Sequence, residues 1–194
     1  MPSAKYLQLK YVERVTVGAT LGGIVGATSD FRLNGLFDPN ITGVGHQPMG
    51  FDQWTPLYNM YKVHRVDIKI KPMNNGTADM FFAAQINNSQ DTGALAGIDY
   101  NTACERSNVA CVLVGDTADA NENVIFKSFA MSEIEGHDTS SDNYSAQVTG
   151  DPGNVIKLRL GAGRYDGGDT GSIQCTLELV YHVRFYEKKT LTAS

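Results

Sequence analysis

The sequence predicts an all-β protein, a sandwich of two packed sheets. Three observations carry that prediction. Several segments alternate strictly between apolar and polar residues, the period of a strand with one buried face. Turn-forming Gly, Asn, Asp and Thr residues, among them 20 glycines, separate these segments. No amphipathic helix of any length is visible, and two long connections interrupt the strands.

Taken in order, residues 6–17 place Leu7, Leu9, Tyr11, Val15 and Val17 on one face and Gln8, Lys10, Arg14 and Thr16 on the other. That is a half-buried first strand. A Gly-rich turn over 18–26 leads to a short second strand, 27–33. A long connection follows, with one helical turn expected over 52–60, capped by Asp52 and kept brief by Pro56. Residues 63–72 form a third strand, with Val66, Ile68 and Ile70 inward and Arg65, Asp67, Lys69 and Lys71 outward. Asn74-Asn75-Gly76 signals a tight turn. Residues 78–86 form a fourth strand, rich in Met80, Phe81 and Phe82. The polar connection 87–107 holds a short helix over 97–106, for which Asp99 is the cap. Strands five and six occupy 108–115 and 124–131, parted by an acidic turn over 116–123. After a second long connection, 133–153, strands seven and eight occupy 154–162 and 172–188. In the last of these Ile173, Cys175, Leu177, Leu179, Tyr181, Val183 and Phe185 share one face.

A chain of 194 residues suits one core. No domain boundary, repeat or low-complexity tract divides it, so residues 1–194 are read as one domain. No apolar run approaches the roughly 18 residues of a membrane span, so no membrane partner is expected. Met1-Pro2-Ser3-Ala4-Lys5 carries no apolar leader core, which makes the four Asn-Xaa-Ser/Thr sequons at Asn40, Asn75, Asn87 and Asn143 chance matches. Cys104, Cys111 and Cys175 lack metal or disulfide spacing and read as small core residues in a reducing compartment.

Catalytic signals are weak. His46, His64, His137 and His182 show no i,i+2 or i,i+4 pairing, and the His-Xaa-His of a metal-binding cupin strand is missing. No Gly-Xaa-Ser-Xaa-Gly elbow supports a nucleophile. The Gly-rich residues 161–168 lack the Lys-Ser/Thr ending of a phosphate loop and fit a hairpin better. The acidic stretches 116–122 and 138–142 match no Ca²⁺-loop spacing and read as solvated turns. No enzyme activity, cofactor or metal is therefore expected.

The segment over 34–63 is the most informative. It is too rich in Gly and Pro for core, yet Leu36, Phe37, Phe51, Trp54, Leu57, Tyr58 and Tyr61 would anchor it. Connections longer than about 12–15 residues are functional or disordered, and buried anchors argue for order. Its pieces run Asn34-Gly35-Leu36-Phe37-Asp38-Pro39, Gly45-His46-Gln47-Pro48, Gly50-Phe51-Asp52-Gln53, then Leu57-Tyr58 and Tyr61-Lys62-Val63 entering a strand. Together with the C-terminal strand ending Phe185-Tyr186-Glu187-Lys188-Lys189-Thr190-Leu191, this order resembles the capsid proteins of circular Rep-encoding single-stranded DNA (CRESS-DNA) viruses, from about Tyr6 onward. The resemblance implies an eight-stranded single jelly roll with B-I-D-G and C-H-E-F sheets. It implies a structural protein of the virion, assembled in the host cytoplasm or nucleus into an icosahedral shell of T=1 type with about 60 copies. Phe37, Phe51, Trp54 and Tyr58 would be the loop and assembly anchors. A small RNA virus coat protein, or a non-viral jelly-roll binding module, are the alternatives.

Charge bears on the nucleic-acid partner. The chain carries a net charge of −5, and its first twenty residues hold only Lys5, Lys10 and Arg14 against Glu13. The Arg/Lys-rich arm that the resemblance implies is not among them. In the B-I-D-G sheet, however, the outward positions are Lys10, Arg14, Arg65, Lys69, Lys71, Arg184 and Lys188, against Asp67 and Glu178. Edge solubility explains such a face in one reading; an inner wall facing packaged single-stranded nucleic acid explains it in the other.

Overall fold

The alternation read from the sequence builds two antiparallel sheets in the computed structural model, which describes residues 2–74, 76–115 and 124–190. The first sheet has the order β1 (Ala4–Gly18), β9 (Ser172–Lys188), β3 (Tyr58–Asn74), β6 (Ile125–Ala130), with a short β7 (Ser145–Gln147) also on β3. The second has the order β2 (Ser29–Arg32), β8 (Lys157–Arg164), β4 (Met80–Asn87), β5 (Val109–Val114). With β7 set aside and the remaining strands lettered B to I, these orders are B-I-D-G and C-H-E-F, a jelly roll.

β9 organises the first sheet. It pairs with β1 from Ala4↔Tyr186 to Gly18↔Ser172, and with β3 from Tyr58↔Lys188 to Asn74↔Ile173. Its inward face from Ile173 to Phe185 is buried without interruption. Opposite lie Phe31, Met80, Phe82, Leu158, Leu160 and Ala162 of the second sheet. β4 is buried along nearly its whole length rather than alternating. Its inner face meets the main core, while Phe81 and Ala83 pack outward under Val25, Leu95, Ile98 and Ala103 of the covering loops. Gly161 and Gly163 of β8 permit that cover: a Cβ at Gly161 would collide with Val25, and one at Gly163 with the Phe81 ring.

The short helix α2 (Tyr100–Glu105) starts where predicted, with the Asp99 carboxylate accepting from the Thr102 amide at 2.7 Å. Other expectations are corrected. The helical turn α1 covers Phe51–Trp54 and is capped by Gly50 at φ 89°, not by Asp52, which lies inside its first turn. Pro56 ends it, and the chain is already extended at Tyr58, so β3 begins five residues before the predicted 63. β7 and the helix α3 (Met131–Glu135) lie where a connection without regular structure was expected. Of the cysteines only Cys175 is buried; Cys111 is half-buried and Cys104 is exposed on α2. The acidic turn over 116–123 and Asn75 lie outside the described residues.

The long connection after β2 is ordered by backbone pairing at its start. Arg32 N–H donates to Pro39 O at 2.7 Å and Ile41 N–H to Asp30 O at 3.0 Å, so residues 39–41 cover the free edge of β2. Asn34, 1% exposed, accepts from Ile156 N–H at 3.0 Å and donates to Asn154 O at 2.8 Å. Tyr61 on β3 ties both long connections together: its hydroxyl accepts from Leu36 N–H at 3.0 Å and donates to Gly150 O at 2.9 Å. Burial pushes this phenol far above its ordinary range, so it keeps its proton. Tyr61→Phe leaves the buried Leu36 N–H without an acceptor and is expected to cost about 1–3 kcal/mol. Urea unfolding measures this, and an unchanged midpoint would contradict the tie.

Candidate functional site

Two places carry the sequence expectations: the outward face of the first sheet and the long connection over 33–57. Register assembles the face row by row. Tyr6, Arg184 and Lys62 lie side by side across β1, β9 and β3; next come Gln8, His182 and Arg65, then Lys10, Val180 and Asp67. Val12, Glu178 and Lys69 follow, then Arg14, Thr176 and Lys71. β6 adds Phe126 beside Lys69 and Ser128 beside Asp67. Six of the seven basic residues expected on this face are therefore brought together.

Lys188 does not join them. Glu187 takes φ 55°, which breaks the alternation, and Lys188 pairs opposite the buried Tyr58 at the strand end. Lys62, not foreseen, takes the place instead. The register slips between Val63 and Arg65, so His64 sits in a bulge and the residues before it change face. No feature of the residues 58–65 marks that bulge in advance.

The two carboxylates on this face are engaged. Glu178 pairs with Lys10 at 2.9 Å. Asp67 accepts from Arg65 Nε at 3.1 Å, from His182 Nε2 at 2.8 Å and from the Ser128 hydroxyl. Desolvation works to raise the Asp67 carboxyl, but the hydrogen bonds from Ser128, His182 and Arg65 outweigh it and bring it down to about 2. Arg14, Lys69 and Lys71 make no ion pair with a described residue. The net result is a positive band whose unpaired cations gather toward one end, on both flanks of β9. Among the described residues no group of three His, Cys, Asp or Glu side chains is placed to hold a metal ion.

In the long connection, Phe185 of β9 is the hub. The rings of Phe51, Trp54, Tyr58 and Tyr61 lie 6.0, 6.4, 6.2 and 6.3 Å from it, and Phe51 meets Tyr61 edge-on at 5.6 Å. Phe51 and Tyr58 are fully buried, and Trp54 is partly so. Phe37 departs from the expectation. Leu36, at a bend in the chain, takes the buried side, and Phe37 beside it is 40% exposed. Val44 at 82% and Met49 at 85% are exposed on the same loop.

No protein-family model matches the chain, and no curated protein matches it. Solved structures do. The BFDV capsid protein, crystallised as a 60-mer, aligns over all of this chain and all of its own length at 10% identity, with a TM-score of 0.50. The empty head of turnip yellow mosaic virus aligns over all of this chain and 87% of its own, at 11% identity and a TM-score of 0.50. At such identities the likeness is one of fold: this chain has the jelly-roll sandwich found in viral capsid proteins.

Two outcomes are expected. Phe51→Ala removes a fully buried ring and should cost about 3–5 kcal/mol. Trp54→Ala should cost less, and Phe37→Ala should stay within about 0.5 kcal/mol. Equal losses at all three positions in chemical unfolding would contradict this placement. For Asp67, the folded value lies below the ordinary 3.8, so its contribution is present above pH 3.8 and lost as pH falls toward about 2. Asp67→Asn should therefore weaken the fold at neutral pH and flatten the acid limb in that window. Superimposable acid-unfolding curves would contradict it.

Proposed function

We propose that this chain is a viral capsid protein that self-assembles into a small closed shell of T=1 type, about 60 copies, around a single-stranded DNA genome. The observation that carries the reading is the segregation of charge within this fold. A chain of net charge −5 gathers seven basic residues, Lys62 included, on the outward face of one sheet, where Asp67 and Glu178 oppose them from the strands and Asp138 and Asp142 flank Lys62 from a connection. A band of that kind attracts phosphates without reading bases. The opposite charge balance of the remaining surface suits contacts between subunits and with solvent. The fixed loop over 33–57 supplies shape for association, and exposed Phe37, Val44 and Met49 supply apolar area.

The choice of DNA over RNA rests on the loop motif of residues 34–63, which resembles CRESS-DNA virus capsid proteins. An RNA genome is the second reading, because the fold likeness is equal for the two capsids and does not separate genome types. Both make the protein structural rather than catalytic. Purified protein at neutral pH and moderate salt is expected to form uniform particles of about 20 nm by light scattering and microscopy without added nucleic acid. A monodisperse monomer or dimer under those conditions would refute the capsid reading.

A further inference from the structure

One end of the basic face differs from the rest of it. The Arg184 guanidinium lies 5.9 Å from the Tyr6 ring and 5.3 Å from the Tyr186 ring. Its Nε is buried without a hydrogen-bond acceptor. Tyr6 is 68% exposed, and the His64 ring lies 6.1 Å from it. A cleft of about 400 Å³ opens alongside, lined by Lys62, His64, Asp138, Asp142, Arg184 and Tyr186. Lys62 donates one of its hydrogens to Thr139 O, which leaves the others free. Burial and the charges of Lys62 and Arg184 hold the His64 imidazole below its usual range, so it is neutral at pH 7.

A large aromatic ring left bare on a polar strand face beside a guanidinium calls for an explanation, and a nucleotide supplies one: its base covers the ring while its phosphate meets the cations beside it. We propose that Tyr6, Lys62, Arg184 and Tyr186 form a subsite for one nucleotide of a single-stranded nucleic acid, with the base on the Tyr6 ring and the phosphate on Arg184 and Lys62. The proposal rests on the reading of this sheet as the face that meets nucleic acid, and it adds a fixed position to an otherwise diffuse charge. Base stacking requires an unpaired base, so the subsite selects single strands over duplex. Asp138 and Asp142 share the cleft, so a free multivalent anion gains little there. The aromatic contact is what favours a nucleotide over bare phosphate.

Fluorescence anisotropy with a labelled oligothymidylate and with a duplex of equal length tests this, while light scattering follows particle formation separately. Tyr6→Ala, at an exposed position, should weaken single-strand binding about tenfold and leave its salt dependence unchanged. Tyr6→Phe should bind as the parent does. Arg184→Gln should weaken binding and lower the salt slope by about one. Lys69→Glu with Lys71→Glu should weaken single strand and duplex alike. If that double variant loses affinity while Tyr6→Ala does not, the subsite is overturned and the basic face stands. If the parent binds neither probe, both fall, whatever the particles do. Displacement of the strand by inorganic phosphate at constant ionic strength, equal for the parent and Tyr6→Ala, marks a bare anion site and overturns the stacking.

Discussion

The alternation of β9 is the constraint on which the rest of the structure depends. Paired along its length on both sides, it cannot slip by one residue without turning Leu177, Leu179, Tyr181, Val183 and Phe185 to solvent and Glu178, His182 and Arg184 into the core. Burying that set of charges would cost far more than any edge contact returns. The register of β9 then fixes β1 and β3. Their outward residues therefore fall into common rows, and the basic band is a consequence of core packing rather than a separate design. The same strand sets the loop, because Phe185 at its end is the surface on which Phe51, Trp54, Tyr58 and Tyr61 gather.

How much of this was legible in the sequence follows from how local each signal is. The bounds of β9 were readable to the residue, since its period of two runs unbroken from Ser172 to Tyr186. Asp99 was readable as a helix cap because the signal lies within three residues of its partner. Strand β7 was not, because three residues give no period and its pairing with β3 is fixed by the tertiary fold. The bulge at His64 was equally silent, and it alone decides that Lys62 belongs to the face. Leu36 and Phe37 show the same limit: they lie in bends with no period, so the sequence alone did not say that one would be buried and the other exposed. Lys188 was misplaced because the positive φ of Glu187 has no sequence signature.

In the proposed shell subunit, the loop and the face have separate roles. Backbone pairing at residues 39–41, the buried Asn34 and the Tyr61 hydroxyl fix the loop from three sides. Phe37 is therefore carried on a pinned segment, and in the proposed shell such order would lower the entropy cost of association. On the sheet, Asp67 and Glu178 offset part of the positive charge through Arg65 and Lys10, and Arg14, Lys69 and Lys71 make no ion pair with a described residue. The exposed loop residues and the basic band thus belong to different elements of the molecule.

The central claim, that the basic sheet face is the inner wall of a shell, is tested most directly by an electron cryo-microscopy reconstruction of the assembled particle. The account requires the outward face of β1, β9, β3 and β6 to line the lumen, with Lys69 and Lys71 toward it and the 33–57 loop at contacts between subunits. A particle in which that face lies on the outer surface would contradict it.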